Sequence, residues 1–377
     1  MLTKPLRLDV HEQIECAQTL ASHFYTDPAI LQIEKTRIFQ RTWQLVGTLS
    51  QSCGEVNGMK RTIADPESFF TADVAGEPII VVRDNRGELR AFSNVCRHRA
   101  GPIALGSGCK NVLRCQYHGW TYSLDGRLIG TPDVEGVEFF DRSAMGMVPL
   151  RCETWEQFIF VNFDLKAEPL STYLGQIPQQ TKGLQFEGLQ FAERRDYLIN
   201  CNWKVYVDNY LEGYHLALVH PALARALDTK RYRTHLGRWH SLQESPLQPG
   251  PAEAGVGAQH ALYYFIYPNT MLNILPGRMQ TNRVVPLGTR RCRVDFDYFF
   301  RADVSLESRA ADRAFADQVQ TEDGAICERV QRGLASGSYA PGRLNPNQES
   351  GVWHFQELLR AAYRAAGATE RAAAGKC

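Results

Sequence analysis

Two short clusters of Cys and His, sixteen residues apart, are the residues of this chain best suited to chemistry. Cys96 and His98 form the first cluster, and Cys115 and His118 form the second. Two thiolates on one iron and two imidazoles on the other make a [2Fe–2S] centre whose neutral ligands raise its reduction potential. Structural zinc is the alternative, but a one-residue Cys-x-His gap suits a tetrahedral ion poorly. The spacing therefore predicts a [2Fe–2S] cluster.

A second stretch, residues 202–221, predicts a helix that carries iron ligands. His220 follows His215 by five residues, which is about 140° further round an ideal helix. Both can bind one ion only if the helix ends or distorts between them, and Pro221 supplies a reason, because the residue before a proline avoids the α region. Two His and one carboxylate are typical of non-haem Fe(II) that activates O₂. Taken alone, the stretch fits one core His and one surface His equally well.

The carboxylate that would complete this iron site must come from elsewhere in the chain. Residues 315–334 contain several acids, among them a Glu-Asp pair at 322–323. Most such pairs lie on solvated helix faces. Spacing alone does not favour Asp323 over Asp317 or Glu328.

Both stretches resemble one family. The pattern C-x-H-R…C-x-Y-H-G-W resembles the Rieske domain of Rieske non-haem iron oxygenases, and residues 202–221 resemble their mononuclear iron motif. Respiratory Rieske proteins add a Cys pair that links the two loops, whereas Gly101 and Gln116 occupy those places here, which favours the oxygenases. The resemblance implies four cluster ligands and three Fe(II) ligands, respectively Cys96, His98, Cys115 and His118, and His215, His220 and Asp323.

Glu212 and Asp208 are further catalytic residues that the pattern suggests. On an ideal helix they share a face with His215, because the three are spaced by four and three residues. The resemblance implies that Glu212 accepts hydrogen bonds from an iron His and from a Rieske His, and so orients both rings. Most members of the family have Asp at this place, and Glu resembles the branch that acts on carnitine and related quaternary ammonium compounds. Asp208 either supports His215 or caps local donors.

Four residues of a predicted sheet are candidates for a substrate pocket. Residues 261–276 are apolar and aromatic, and the alternation in residues 291–300 predicts a half-buried antiparallel strand. The pocket candidates are Tyr263, Phe265, Met271 and Asn273. The same side chains also suit an ordinary core, which is the commoner place for aromatic strand residues.

The resemblance implies the terminal oxygenase of a multicomponent system. A separate reductase, and possibly a ferredoxin, would supply electrons from NAD(P)H, O₂ would be the second substrate, and the assembly would be a homotrimer. The substrate would be a small organic molecule, with hydroxylation leading to N-demethylation or C–N cleavage of a quaternary ammonium or N-alkyl compound. An aromatic ring-hydroxylating oxygenase is the alternative, and a Rieske electron-transfer protein is the alternative of another class.

The chain length and this order of motifs predict an α+β protein. An N-terminal helical segment (1–45) would pack on the catalytic domain, followed by an all-β Rieske [2Fe–2S] domain (46–162). For the catalytic mononuclear iron domain (163–377), the resemblance implies a helix-grip fold, in which a long helix crosses an antiparallel sheet. Within the Rieske domain, residues 77–83 predict a buried strand.

Composition limits the kinds of partner and the cellular compartment that we expect for this chain. The formal net charge of +1 argues against nucleic acid, whose binders carry concentrated basic patches. No apolar run approaches the roughly 20 residues needed to span a bilayer. The N-terminus lacks a signal-peptide core, so most of the ten Cys are expected to be reduced thiols in the cytoplasm.

Overall fold

The chain divides into two compact units. The computed structural model describes residues 13–184, 186–248 and 260–367. One unit comprises residues up to Ile38 together with those from Tyr173 onward, and the other comprises Phe39–Thr172. The limits 1–45, 46–162 and 163–377 stay a prediction, and residues 1–12 and 368–377 of the predicted terminal segments lie outside the described residues.

The strands and α-helices of the described residues are numbered in chain order. The strands are β1 (Gln44–Thr48), β2 (Ser52–Val56), β3 (Met59–Thr62), β4 (Ser68–Val74), β5 (Glu77–Arg83), β6 (Leu89–Ser93), β7 (Ser107–Cys109), β8 (Val112–Arg114), β9 (Thr121–Ser123), β10 (Leu128–Gly130), β11 (Pro149–Trp155), β12 (Phe158–Asn162), β13 (Leu189–Ile199), β14 (Arg233–Leu236), β15 (His240–Pro246), β16 (His260–Ile266), β17 (Thr270–Leu275), β18 (Arg278–Gly288) and β19 (Arg291–Arg301). The α-helices are α1 (His23–Thr26), α2 (Pro28–Glu34), α3 (Leu170–Leu174), α4 (Ile177–Thr181), α5 (Trp203–Tyr210), α6 (Leu216–Val219), α7 (Pro221–Ala226), α8 (Leu306–Ala335) and α9 (Ser350–Ala365).

The unit of residues 39–172 is built from antiparallel sheets. Seven strands pair in the order β1-β12-β11-β6-β5-β4-β7, three pair in the order β10-β9-β8, and β2 pairs with β3. The strand predicted at residues 77–83 is confirmed as β5, whose Ile79–Val82 segment is buried because β4 and β6 flank it. Cys96 follows β6 and Cys115 follows β8, so both cluster loops begin at strand ends.

The other unit combines one large sheet with a long helix. Its seven antiparallel strands run in the order β13-β19-β18-β17-β16-β15-β14. Helix α8 has 30 residues and begins after Ser305, whose side chain accepts from the backbone N–H of Ser308. Asp317 of α8 accepts from Arg195 and Tyr197 of β13, which ties the helix to the sheet. The predicted α+β class, with a helix over an antiparallel sheet, is confirmed.

Strand β19 is more buried than the expected half-buried strand. Its polar positions include Asp295 and Asp297, which are only 2% and 7% exposed. Asp295 pairs with Arg283 and Arg293, and Asp297 pairs with Arg194. Ion pairing with Arg283 and Arg194 of the neighbouring strands, and with Arg293 of β19 itself, therefore lets the polar side of β19 be buried as well, a possibility that alternation alone does not reveal.

A fully buried ion pair joins α2 to α5. The ammonium of Lys204 lies 2.5 Å from a Glu34 oxygen, and neither side chain is exposed. The indole of Trp203 and the hydroxyl of Tyr363 also donate to Glu34, at 2.8 and 2.6 Å. These donors satisfy the carboxylate and fix the start of α5, the helix that leads into the predicted iron motif. None of the helices among the described residues is long and apolar enough to cross a membrane.

Removing one member of this pair should destabilise the protein strongly. We expect Lys204→Met to lower the free energy of unfolding by about 3–5 kcal/mol, because it leaves the Glu34 charge buried without its cation. The Lys204→Met/Glu34→Gln double variant should recover part of that loss. Urea unfolding followed by fluorescence measures both.

The matched control is the exposed pair of Arg41 and Asp164. Arg41→Met should cost less than about 1 kcal/mol, since exposed ion pairs contribute little. Equal losses for Lys204→Met and Arg41→Met would show that burial of the pair carries no special penalty.

Candidate metal centres and cavity

The two Cys-His loops of the all-β unit have the same backbone hydrogen bonds. The N–H of Cys96 donates to the carbonyl of Gly101, and the N–H of Cys115 donates to the carbonyl of Trp120. In each loop the residue four after the Cys has a positive φ, which is Ala100 in one and Gly119 in the other. The two loops therefore have one geometry, with each Cys at the same point of its loop.

The sulfur end of this pair of loops is buried and the imidazole end is open. Cys96 and Cys115 are 3% and 1% exposed and their thiols contact each other, whereas His98 is exposed and His118 is half-buried. The two imidazole rings lie 4.6 Å apart. Two adjacent thiols facing two adjacent imidazoles suit a [2Fe–2S] cluster with one iron at each end. A cluster held by these residues would have its histidine-ligated iron nearer to the surface.

Two aromatic residues support these ligands. The indole of Trp120 stacks on the His98 ring at 4.9 Å and 8°. The hydroxyl of Tyr122 lies 3.3 Å from the Cys96 sulfur and accepts from the N–H of Arg97. Tyr122 is fully buried, so it is a fixed hydrogen-bonding partner at the sulfur end.

The helix predicted over residues 202–221 is interrupted, so that prediction is wrong in part. Helix α5 ends at Tyr210, and α6 begins only at Leu216. His220 then has φ −123° and ψ 66°, which is outside the helical region and separates α6 from α7. The expected break before Pro221 is therefore present, and a second break lies before His215. The departure at His220 relaxes the 140° separation of a continuous helix, and the break before His215 separates both imidazoles from α5.

His215, His220 and Asp323 converge on one point. One ligand atom from each lies within 4.8 Å of the other two. An Asp323 oxygen is 2.9 Å from Nε2 of His220 and 3.8 Å from Nε2 of His215. The other acids of α8 that spacing left open are engaged elsewhere, because Asp317 bonds β13 and Glu328 accepts from Asn200. Among the described residues this is the one group of three or more His, Cys, Asp or Glu whose ligand atoms lie close enough together to hold a single metal ion.

Two glutamates orient the imidazoles. Nδ1 of His215 lies 2.5 Å from Glu212, and Nδ1 of His220 lies 2.6 Å from Glu322. An ionised carboxylate only accepts, so each Nδ1 carries a proton and donates it to its glutamate. The Nε2 atoms of both rings and an Asp323 oxygen lie close together, and with both Nε2 atoms deprotonated this donor set suits Fe(II) with open positions.

The charge of Glu322 is maintained despite partial burial. Burial opposes ionisation, but the hydrogen bonds from His220 and Gln318 outweigh it and hold the pKa of Glu322 below its ordinary value. The Glu212 carboxylate is fixed in position by different contacts, since it also accepts from the backbone N–H groups of Tyr214 and His215. It thus closes the bend between α5 and α6 and orients a ligand at the same time.

A cavity of about 260 Å³ adjoins this cluster. His215, His220 and Asp323 form part of its wall. Aromatic rings provide much of the remainder, namely Tyr206, Tyr210, Tyr232, Tyr263, Phe296 and Phe315. The hydroxyls of three of these tyrosines are bonded within the protein, to Gln320, Asn273 and Gln243. A molecule in the cavity therefore meets a cluster of aromatic rings beside the aliphatic and polar residues of the wall.

Comparison with known proteins decides the family. The Rieske [2Fe-2S] domain family matches residues 57–141, and the catalytic domain of the ring-hydroxylating alpha subunit family matches residues 186–365. The chain is 37% identical to chloroplastic choline monooxygenase of Arabidopsis thaliana, covering 92% of this chain and 83% of the relative. It is 30% identical to the carnitine monooxygenase oxygenase subunit of Escherichia coli K12, covering 92% and 94%. The chain belongs to the Rieske non-haem iron oxygenases.

Solved structures agree with this assignment. The quaternary ammonium Rieske monooxygenase CntA in complex with L-carnitine has a TM-score of 0.81 and 29% identity, covering 96% of this chain and 99% of that one. Naphthalene 1,2-dioxygenase from a Rhodococcus species has a TM-score of 0.73 and 19% identity, covering 92% and 94%, which shows the shared fold. As a Rieske oxygenase the chain is an oxidoreductase that incorporates O₂, with a [2Fe–2S] cluster and mononuclear iron as cofactors. The family works with a separate reductase.

The four pocket candidates of this Rieske oxygenase lie on one face of the sheet but in two surroundings. Tyr263 pairs with Asn273, and Phe265 pairs with Met271, across β16 and β17. Tyr263 and Asn273 line the cavity. Phe265 and Met271 are buried, and Phe265 packs edge-on against Phe355 of α9 at 5.5 Å. Helix α9 thus covers one end of the face and leaves the other end to the cavity.

Asp208 does not contact His215 in this structure. It is half-buried and accepts from the hydroxyl of Tyr25 at 2.7 Å and the side chain of Gln356 at 3.2 Å. Burial raises the pKa of Asp208 to about 6. Its contacts join α1, α5 and α9, so of the two roles considered for Asp208, the geometry favours a cap on local donors.

Sequence reasoning did not single out Glu322 or Asn209 as parts of the site. Asn209 donates to the same Asp323 oxygen that approaches His220, at 2.5 Å. Glu322 was visible only as the neighbour of a candidate ligand. An i, i+1 acid pair gives no signal of this kind, since adjacent helix residues point about 100° apart and only the tertiary fold brings Glu322 to His220.

Glu322→Gln should weaken iron binding without disturbing the cluster. The amide can still contact His220 but no longer carries the charge that holds Nδ1 protonated, and loss of such supporting partners typically costs about 10–100-fold in metal affinity. Competition with a chelator measures the Fe(II) affinity, and the visible spectrum reports the [2Fe–2S] content. Glu307→Gln, in the exposed first turn of α8, is the matched control. Equal iron affinity in all three proteins would exclude the role of Glu322.

Proposed function

We propose that this chain is the oxygenase component that hydroxylates a carbon next to the nitrogen of a quaternary ammonium compound. The hydroxylated product then loses the nitrogen substituent by C–N cleavage. Choline and carnitine monooxygenases among its relatives, and the L-carnitine complex of CntA, support this substrate class. The lining of the cavity supports it independently.

The observation that carries the proposal is the group of aromatic side chains that line the cavity beside His215, His220 and Asp323. Burial and the nearby Asp323 carboxylate raise the pKa of Tyr206 well above its ordinary value, and burial with the nearby Tyr263 and Glu212 does the same for Tyr232. Both phenols therefore stay neutral, and their rings lie next to the carboxylates of the site. Aromatic faces attract a desolvated cation, and a quaternary ammonium has no N–H that would need an acceptor.

The ligand assignments belong to the same proposal. Cys96, Cys115, His98 and His118 would hold the [2Fe–2S] cluster, and His215, His220 and Asp323 would hold Fe(II). The cluster would pass electrons to the Fe(II), which supplies the activation of O₂. The chain's own groups bind and orient the substrate, since the aromatic wall holds the ammonium and the glutamates at Nδ1 fix the orientation of both imidazoles. In the overall balance one oxygen atom enters a C–H bond, and the other leaves as water with two electrons and two protons.

Electron delivery would cross between subunits of a homotrimer. Glu212 would accept from His215 of its own chain and from His118 of the partner subunit. The exposure of the imidazole end of the cluster supports such a contact. A structure of the quaternary ammonium Rieske monooxygenase is described as giving insight into inter-subunit electron transfer, which supports it further. NAD(P)H would enter through the separate reductase.

A substrate screen tests the function. With a surrogate reductase and NADH, the wild-type enzyme should deplete at least one of choline, L-carnitine, γ-butyrobetaine and glycine betaine, and should release an aldehyde or an amine. Asp323→Ala should consume none while it keeps the cluster spectrum. Turnover of benzoate or an aromatic hydrocarbon, with every quaternary ammonium compound left intact, would favour the ring-hydroxylating alternative.

Glu212→Gln tests the path between the two centres. The single amide oxygen cannot serve both the backbone and the imidazole, and it lacks the charge that strengthens hydrogen bonds from imidazole. We expect oxidation of the pre-reduced cluster, after addition of substrate and O₂, to slow by about tenfold or more, with both metals retained. Glu212→Asp should keep part of the rate. An unchanged rate in the Gln variant would contradict the bridge.

A further inference from the structure

The cavity wall carries one guanidinium that the proposed reaction does not use. Arg278, the first residue of β18, lines the cavity and pairs with Asp312 of α8 at 2.6 Å. The two side chains are only 18% and 14% exposed. This pair is separate from the ligand cluster, and the sequence motifs gave no indication of it.

The pairing of Arg278 is incomplete. One guanidinium nitrogen contacts one oxygen of Asp312, and the described residues offer the rest of the guanidinium no further acceptor. The second oxygen of Asp312 is buried without a hydrogen-bond partner. A guanidinium has five N–H donors in a planar fork that matches a carboxylate. Arg278 therefore presents unused donors to the cavity, while Asp312 fixes its position.

The distance along helix α8 from the partner of Arg278 to Asp323 indicates how far the guanidinium lies from the proposed iron site. Asp312 and Asp323 are eleven residues apart, which is close to three turns and corresponds to about 16 Å of helix. The residues between them that line the cavity include Phe315, Ala316 and Val319, all on the same face. The two ends of this face thus differ in chemistry: a metal-binding carboxylate at one end and an anchored cation at the other.

We propose that Arg278 binds a carboxylate of the substrate, and that the substrate is a quaternary ammonium carboxylate in which several carbon atoms separate the nitrogen from the carboxylate. This inference rests on the proposed function. The carbon that is oxidised lies near His215, His220 and Asp323, with its ammonium among the aromatic rings. A carboxylate at the other end of the molecule reaches Arg278 only if the chain between the two groups is extended.

Charge and length both disfavour the binding of a short alcohol such as choline. A choline cation has no anionic group to pair with Arg278, so its binding would desolvate the guanidinium beside a second cation. Glycine betaine has a carboxylate but only one carbon between it and nitrogen. γ-Butyrobetaine has the carboxylate, the trimethylammonium and the longer chain in one molecule.

The test compares γ-butyrobetaine with choline in wild type and Arg278→Gln, using the full-length enzyme with both metal centres and a surrogate reductase. Steady-state rates give KM and kcat, and anaerobic calorimetry gives the dissociation constant. Wild type should prefer γ-butyrobetaine. The variant should raise KM and the dissociation constant for γ-butyrobetaine about 10–100-fold, with little change in kcat, because it removes a charged hydrogen-bonding partner. Its constants for choline should stay within a factor of two or improve, by the same reasoning.

Two further variants separate binding from folding. Arg278→Lys keeps the charge without the planar fork and should recover part of the affinity for γ-butyrobetaine. Arg313→Gln, one residue from Asp312 and paired with Glu193 outside the cavity, should behave as wild type. Cluster absorbance and thermal unfolding confirm that each variant is folded.

The outcomes distinguish this inference from the proposed function. Wild type that oxidises choline but not γ-butyrobetaine overturns the role of Arg278 and leaves the quaternary ammonium function intact. Equal losses for both substrates in Arg278→Gln also overturn it, since they indicate a structural role. Turnover of neither substrate, with turnover of an aromatic acid instead, overturns the proposed function itself.

Discussion

The catalytic unit depends on one geometric constraint: two imidazoles and a carboxylate must face the same point. A continuous helix cannot provide this, because residues five apart point in directions about 140° apart. The chain meets the constraint by ending α5 at Tyr210 and leaving the helical region again at His220. Glu212 stabilises the first bend through backbone N–H groups, and its other oxygen holds His215. The ligand orientation and the backbone break are therefore one feature.

Buried polar contacts hold α5, the helix that precedes the first bend, in position. Asp208 bonds Tyr25 and Gln356, and the Glu34–Lys204 pair fixes the start of α5. The Glu34–Lys204 pair is fully buried and Asp208 is half-buried, so removing a partner leaves a polar group that water satisfies poorly or not at all. Such a network tolerates little displacement, which suits a helix whose last turn leads towards the proposed iron ligands. Specificity of position, rather than net stability, is what a satisfied buried pair can contribute here.

The sequence predicted the metal-binding residues better than it predicted the residues that surround them. Cys and His spacing predicted the [2Fe–2S] cluster, whereas resemblance to the family was needed to predict the mononuclear iron site and to choose Asp323 among several acids of α8. Strand β5 followed from its hydrophobic pattern, and the fold class followed from such patterns together with the resemblance. The roles of Glu322 and Asn209, the split between cavity and core along β16 and β17, and the Arg278–Asp312 pair could not be predicted. All of these depend on contacts between elements far apart in sequence, and local patterns carry no information about them. The burial of β19 was missed for the same reason, since its aspartates are paired across strands.

Helix α8 also limits how this site can change in evolution. It carries the carboxylate beside the histidines at one end and the partner of Arg278 at the other. Inserting one residue between Asp312 and Asp323 would rotate one end by about 100° relative to the other and remove it from the cavity. Only insertions or deletions near whole turns preserve the face, and each of these shifts the spacing by about 5 Å or more. Gradual changes in the length of the cavity are therefore expected from side-chain substitutions along its wall, for example at Phe315, Ala316 and Val319.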